Sequence, residues 1–534
     1  MSEPVMTELD KKIGQVFDNG VVVRKDLVGN VKGNAVVPSY VLEYLLAQYC
    51  ATTDEATMLE GIETVRKILI EHYVHRAEAE LVRSKIREKR APYKIIDRVS
   101  VSLNQKTDTY EASFSNLGIK GVPIDSGTVK RNERLLVTGV WCLADVQYDY
   151  YEEDETPWKL DKLKPIQMSS FDHEQFLERR RQFTTDEWIG LLLQSVGFQP
   201  EVFPRRIQLL KLARLIPFCE RNYNMVELGP KGTGKSHIYS EFSPHGMLIS
   251  GGEVTVPKLF VNNANGKLGL VGYWDVVAFD EFAGKEKRPN KALVDIMKGY
   301  MANKTFSRGT EPQGAQASMV FVGNTQENVL HMLKHSDLFD ELPPAYHDSA
   351  FLDRIHLSLP GWEIANLRKE MFTSGYGFVV DYLAEVLRGL RDYDFAPKYR
   401  SLFTLDSSIA TRDRDAIDKT FSGLMKLLYP HGEATDEEIR EILTFAIEGR
   451  KRVKDQLMRF DSTFDPIKFA YVSKDGKVTA VQTLEEQKYP EVYWPGMGRD
   501  FDGIVETEDR KPEPVVLPVT PTGPTEGTKE FGRT

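Results

Sequence analysis

The stretch Gly229-Pro-Lys-Gly-Thr-Gly-Lys235-Ser236 has the residue types and spacing of a phosphate-gripping loop. Glycines at 229, 232 and 234 let backbone N–H groups wrap a polyphosphate, and Lys235 has the reach for its β- and γ-phosphates. The Ser236 hydroxyl can bind Mg²⁺, and Thr233 and His237 complete the contacts expected for ATP. Hydrolysis needs carboxylates as well. "YWDVVAFDEFAG" supplies a pair after a short apolar run. Asp280 is suited to the magnesium shell, and Glu281 to orienting or deprotonating the attacking water. "ASMVFVGNT" ends in Asn324, placed to hydrogen-bond that water and the γ-phosphate. In "SAFLDRIHLSLPGWE", Arg354 stands where an arginine finger would complete a neighbouring subunit's site. Paired locally with Asp353, it would instead be structural. "TRDRDAIDKTFSGLMKLLYPHG" opens a helix with Arg412 and Arg414, of which Arg412 is the favoured second phosphate sensor.

Such groups act together only from the ends of neighbouring strands. Residues 169–360 alternate short apolar runs with helical patterns, as an α/β sheet does. Residues 361–460 are helical and would form a lid. Four motifs in this order predict an AAA+ ATPase core. Glu227 stands out in the otherwise apolar "NMVEL", and nothing in the sequence accounts for it.

Ahead of this core, residues 1–91 read as a helical domain ending in the basic run Arg83, Lys85, Arg87, Lys89 and Arg90. Late cations suit a helix dipole on a solvated face. The alternative is phosphate contact through Arg87, Lys89 and Arg90. Pro92 stops that helix, and residues 92–168 alternate like short strands, predicting a small OB-like β-barrel. Beyond the lid, 461–504 holds a hairpin turning at Asp475-Gly476. Residues 505–534 are rich in Pro, Thr and Gly, and predict a disordered tail. The fold class is thus multidomain α/β.

A chain of 534 residues is too long for one core. Its net charge of −10 excludes a protein that is basic all over, so a nucleic-acid site has to be a local patch or channel. Three scattered cysteines form no metal or disulfide pattern. No secretory signal and no run of eighteen apolar residues is present, so the expectation is a cytoplasmic protein without membrane contact. His331 and His335 are spaced like half of a helical zinc site. No Glu follows the first, however, and a solvated face is the simpler reading.

The insert "MLISGGEVTVPKLFVNNANGKLGLVGYWDVVAFDEF" and the following "ALVDIMKGYMANKTFSRGTEPQGAQASMVFVGNT" resemble the corresponding regions of minichromosome-maintenance helicases. That resemblance implies a hairpin pointing into a ring pore and touching DNA, with Lys304 and Arg308 as its matching cations. The "LDRIH" segment is also similar to the finger region of Lon ATPases. The whole constellation resembles the BrxL family, the Lon-like AAA+ proteins of BREX phage-defence systems. It implies a hexameric ring, with stacked rings an open alternative, that binds duplex phage DNA, uses ATP and Mg²⁺ and works with other BREX components. Longer relatives carry a Lon-protease-like domain. No serine–lysine signature is found here, so peptidase activity is not expected. Two other readings stay open: a protein unfoldase, and a scaffold whose assembly ATP controls.

Overall fold

The computed structural model describes residues 6–494 apart from 19, 32–36, 51–54, 138, 153–155, 167–170, 243, 252–253, 263–265 and 308–310. The tail at 505–534 and Arg308 therefore lie outside the described residues.

Five short strands form one parallel sheet: Asn224–Gly229, Gly246–Ile249, Val276–Phe279, Ser318–Asn324 and Leu357–Pro360. Numbered along the chain, they lie side by side in the order fifth, first, fourth, third, second. The third strand, Val-Val-Ala-Phe, is buried along its whole length, as a parallel strand covered on both faces must be. The fourth lies between the first and the third. Asn324 pairs in register with Gly229, and Phe321 with Phe279. The C-terminal ends bearing the P-loop, the acidic pair and Asn324 consequently lie at one end of the sheet.

The helix Lys291–Asn303 starts where the Asn290 side chain accepts from the N–H groups of Ala292 (2.9 Å) and Leu293 (3.3 Å). It buries Leu293, Val294, Met297, Tyr300 and Met301, and ends at Lys304 in a left-handed conformation, φ 61°. Two short hairpins project nearby, Val261–Asn262 with Lys267–Leu268 and Thr305–Phe306 with Gln313–Gly314. Their roots share an aromatic cluster. The Phe260 ring lies 5.2 Å from Phe306 and 5.9 Å from Tyr300.

Residues 93–165 form a separate five-stranded antiparallel sheet with Tyr93–Asn104 at its centre. Its apolar side buries Ile95, Val99, Phe114, Val140 and Val146. Asp97 is buried beneath it, accepting from the N–H groups of Asn116 (2.9 Å) and Leu117 (2.8 Å). Those bonds hold the turn after the strand Thr109–Phe114.

The first fifty residues do not stand apart from the ATPase region. Val22–Arg24 pairs antiparallel with Tyr376–Phe378. Lys25 and Glu43 form a buried ion pair at 2.8 Å, from which Lys25 donates to the Phe378 carbonyl at 2.7 Å. A three-residue strand whose partner is some 350 positions away leaves no local trace in sequence.

Two long helices, Thr411–Leu428 and Asp436–Phe460, pack behind the sheet. The second begins with the Thr435–Glu438 capping box that its spacing predicts. The hairpin at Asp475-Gly476 also forms, between Ala470–Ser473 and Val478–Ala480, and Phe403–Leu405 adds a third strand. Among the described residues no helix is long and apolar enough to cross a membrane.

Candidate active site

Gly229 ends the first strand where that strand touches the chain leaving the fifth. A Cβ there would meet the Gly361 carbonyl carbon at 2.4 Å, which leaves room for glycine only. Gly232 and Gly234 have φ of 79° and 76°, values other residues rarely adopt. The loop is braced from outside by the segment after the fifth strand, whose Leu367 N–H donates to the Gly232 carbonyl at 2.9 Å. Lys235 is folded along the loop, donating to the carbonyls of Gly229 (3.1 Å) and Pro230 (2.6 Å). Burial lowers its pKa, with Glu227 acting against that and Arg214 with it. His237 opens the five-residue helix His237–Glu241 that follows.

Glu227 also finds its explanation. It receives Arg214 at two points, and both side chains are fully buried. The guanidinium continues to the Thr233 carbonyl at 3.4 Å, so the pair links the strand to the loop. Sequence reasoning missed Arg214, though a signal was present: a cation set among "LLKLARLIPF" needs a buried partner of opposite sign.

Ser236 Oγ donates to Asp280 Oδ1 at 2.7 Å, across forty-four residues. A hydroxyl and a carboxylate meeting this closely are hard oxygen donors of the kind Mg²⁺ takes, usually one or two from protein with phosphate and water oxygens beside them. The donor set at this point therefore fits magnesium. Glu281 follows in a left-handed conformation, φ 53°, costly for a residue with a side chain. Its N–H donates to Asp280 Oδ1 at 2.9 Å, its carbonyl accepts from Lys287, and its carboxylate is exposed. Asn324 is half-buried one strand away, and the next N–H, from Thr325, donates to the Gly229 carbonyl at 3.1 Å.

Arg354 and Arg412 lie together. Asp353 is buried and pairs with Arg412, with Arg450 at 2.7 Å and with Lys454 at 3.5 Å. Burial works against its charge, but these three cations outweigh that and hold its pKa below the usual carboxylate range. Arg354 itself does not take Asp353. It donates to the Ala350 carbonyl, and its Nε has no hydrogen-bond partner among the described residues. Burial, followed by the nearby Arg412, lowers its pKa. Arg414, the alternative to Arg412, is exposed.

Lys304 is exposed at the root of the Thr305–Gly314 hairpin. Arg87, Lys89 and Arg90 are exposed at the end of the helix Ala79–Lys89, where Lys89 lies 5.3 Å from the Tyr93 ring. The structure does not bring these two groups of cations into contact. The His331 and His335 rings lie 4.4 Å apart, and Glu327 is 3.7 Å from His331. Among the described residues no group of three side chains is arranged to hold a metal ion.

A parallel sheet with this strand order, a P-loop after its first strand and an acidic pair after its third, defines an α/β ATPase domain. Residues 158–470 match the family described as "Lon-like protease BrxL-like, ATPase domain", and residues 15–148 match "BREX system Lon protease-like protein BrxL N-terminal". A Lon-like protease BrxL from Bacillus cereus (strain H3081.97) is 47% identical over 486 residues, 90% of this chain and 71% of that protein. One from Escherichia coli O9:H4 (strain HS) is 46% identical over 492 residues, 92% and 70% of the two chains. The chain belongs to the BrxL family. Among solved structures, a full-length MCM homolog from Methanopyrus kandleri aligns at 12% identity with a TM-score of 0.40, covering 80% of this chain and 99% of that one. That match is too distant to add to the assignment.

Proposed function

We propose that this chain is an ATP-hydrolysing AAA+ protein that assembles as a ring and engages or moves along duplex DNA, acting as the phage-restriction factor of a BREX system. The observation that carries this reading is the Ser236–Asp280 contact at the mouth of the P-loop. It joins the two halves of a hydrolytic site that strand order alone would leave apart.

Lys235 and the loop N–H groups would hold the polyphosphate of ATP, with Thr233 and His237 beside it. Ser236 and Asp280 would hold Mg²⁺, which supplies charge neutralisation at the phosphoryl oxygens when bound. Glu281 is exposed just past the end of the third strand, so its carboxylate can orient water and accept a proton from it. Asn324 lies on the adjacent strand end and can donate to the same water.

Arg412 is anchored on Asp353, and the neighbouring Arg354 donates only to the Ala350 carbonyl. A half-buried guanidinium with an unsatisfied Nε is suited to an anionic group brought by another subunit, which favours a ring with shared sites. The antiparallel sheet of residues 93–165 is read as the OB-like barrel, and the two long helices as the lid over the core. Lys304, with Arg308 beyond it, gives the Thr305–Gly314 hairpin a cationic approach to DNA phosphates. Arg87, Lys89 and Arg90 offer a second patch on the N-terminal side.

The test is nucleotide-dependent retention of linear duplex DNA in a gel-shift assay. Glu281→Gln with ATP is expected to hold DNA stably, and Lys235→Ala to release it. Equal DNA retention by both variants, with and without ATP, would remove the motor reading and favour a scaffold.

A further inference from the structure

Away from the P-loop, the seam between the antiparallel sheet and the edge strand Gly246–Ile249 encloses a cavity of about 350 Å³. Beside that edge strand and the helix His237–Glu241, four further parts of the chain build its wall. Tyr40 comes from the helix Ser39–Tyr49, and Arg98, Arg134 and Trp141 from the antiparallel sheet and the turn before its fourth strand. Tyr273 and Trp274 come from the segment leading into the third parallel strand, and Arg388 from the helix Val380–Gly389.

The lining combines ring faces with guanidinium groups. Tyr273 is 42% exposed and Trp274 half-buried, so neither ring is used up by packing. Trp141 stacks on Tyr73 at 6.3 Å while also lining the cavity. Arg134 pairs with Glu385 on one side, yet its buried Nη1 has no hydrogen-bond partner among the described residues. Two nearby acids, Asp275 and Glu385, have cationic partners. Asp275 lies 3.1 Å from Arg391 and 3.4 Å from Arg388, and Glu385 is shared between Arg134 and His245 at 2.7 Å. Burial lowers the His245 pKa, which favours the neutral ring. What faces the cavity is therefore a set of aromatic rings and guanidinium groups, with the Asp275 carboxylate beside Arg388.

We propose that this cavity binds a nucleotide, its base on the aromatic faces and its phosphate on Arg134, Arg98 and Arg388. Planar π-systems stack on Trp and Tyr, and guanidinium pairs with phosphate in a two-point geometry. The volume falls within the roughly 300–1,000 Å³ of small-molecule pockets, and a domain seam is a common place for one. The ligand is either a free mononucleotide or an unpaired nucleotide of a bound strand. No residue is shared with the P-loop. The cavity does touch the machinery at two points: Tyr239 and Ser240 belong to the helix His237–Glu241 that follows the P-loop, and Asp275 immediately precedes the strand Val276–Phe279 that leads to Asp280. Occupancy would thus bind the antiparallel sheet to the base of the strand that carries the acidic pair.

The test uses the full chain as Lys235→Ala, so that the P-loop is disabled, and titration calorimetry. The probes are AMP, GMP, CMP, UMP, inorganic phosphate and a five-residue oligothymidylate. The expected result is saturable binding of a mononucleotide or of the oligomer, weakened at least about tenfold when Tyr273→Ala and Arg388→Gln are added. Both side chains lie at the exposed rim, and Arg388→Gln alone repeats the test if the combined variant melts early. Mononucleotide binding identifies a free ligand, and binding of the oligomer alone identifies a strand. Binding of no probe, equal binding of inorganic phosphate and nucleotides, or unchanged affinity in the rim variants would overturn the proposal. None of these outcomes depends on ATP turnover.

Discussion

Arg214 and Glu227 meet at two points, Nη2 to Oε1 at 2.6 Å and Nε to Oε2 at 3.0 Å, with neither side chain reaching solvent. The guanidinium edge also faces the Thr233 carbonyl at 3.4 Å, so one buried ion pair ties the P-loop to the strand beneath it. Glu227→Ala leaves Arg214 charged and buried without its partner. Losing half of such a pair costs about 3–5 kcal/mol, and a clear drop in melting temperature is expected. The double change Arg214→Met with Glu227→Leu should recover much of that stability while still raising the KM for ATP. Calorimetric melting alongside ATP kinetics checks both halves of this prediction.

The arrangement at Asp353 predicts complementation between subunits. Arg354→Ala should lower ATP turnover by about 10³-fold or more, the scale for an arginine finger. Lys235→Ala should be equally inactive. Mixing the two inactive proteins should restore measurable turnover, because an intact P-loop from one meets an intact Arg354 from the other. Absence of any recovery at increasing ratios would place Arg354 in a structural role.

Much of the parallel sheet can be read from the sequence because its strands are short, apolar and followed at once by polar residues with definite chemistry. Val276–Phe279 followed by Asp280 and Glu281 is such a case, as is Ser318–Asn324. Helix ends with strong caps are equally legible, as Thr435 and Glu438 illustrate. Pairings between distant segments are not. Val22–Arg24 with Tyr376–Phe378 depends on a register that no local pattern records. The partner of Glu227 was hidden for a related reason: a buried charge announces that it needs a counter-ion but not which one. The pairing of Arg412 with Asp353 likewise appears only once the helix Thr411–Leu428 is packed against the sheet.

Lys304 offers a clean test of DNA binding because of its backbone. Its φ of 61° favours glycine, so Lys304→Gly removes the charge without the usual penalty for an added glycine. Melting temperature should be unchanged or slightly higher. Affinity for duplex DNA should fall, and the slope of log K against log salt should become shallower by about 0.9 for each phosphate no longer neutralised. An unaltered salt slope would place Lys304 away from the DNA.

The strand beneath the P-loop also carries a pH-sensitive link. The Asn224 N–H donates to His356 Nδ1 at 2.8 Å, which requires that nitrogen to be unprotonated. Burial depresses the His356 pKa from 6.5 to about 4. The unfolded chain then binds the proton more readily, so this stability is complete above about pH 6.5 and is lost as pH falls towards 4. The full effect is about 3 kcal/mol. Asp455 acts in the opposite direction over much of the range, since burial raises its pKa to about 6. The difference between wild type and His356→Asn, followed by thermal melting from pH 7 to pH 4.5, isolates the imidazole. The gap in melting temperature should narrow as pH falls.

Steady-state ATP turnover by the purified chain, with and without linear duplex DNA, tests the central claim most directly. The account predicts marked stimulation by DNA, dependent on Mg²⁺ and absent in Lys235→Ala. Turnover that is indifferent to DNA but rises with an unfolded protein would contradict it, and would turn the same P-loop to work on polypeptide.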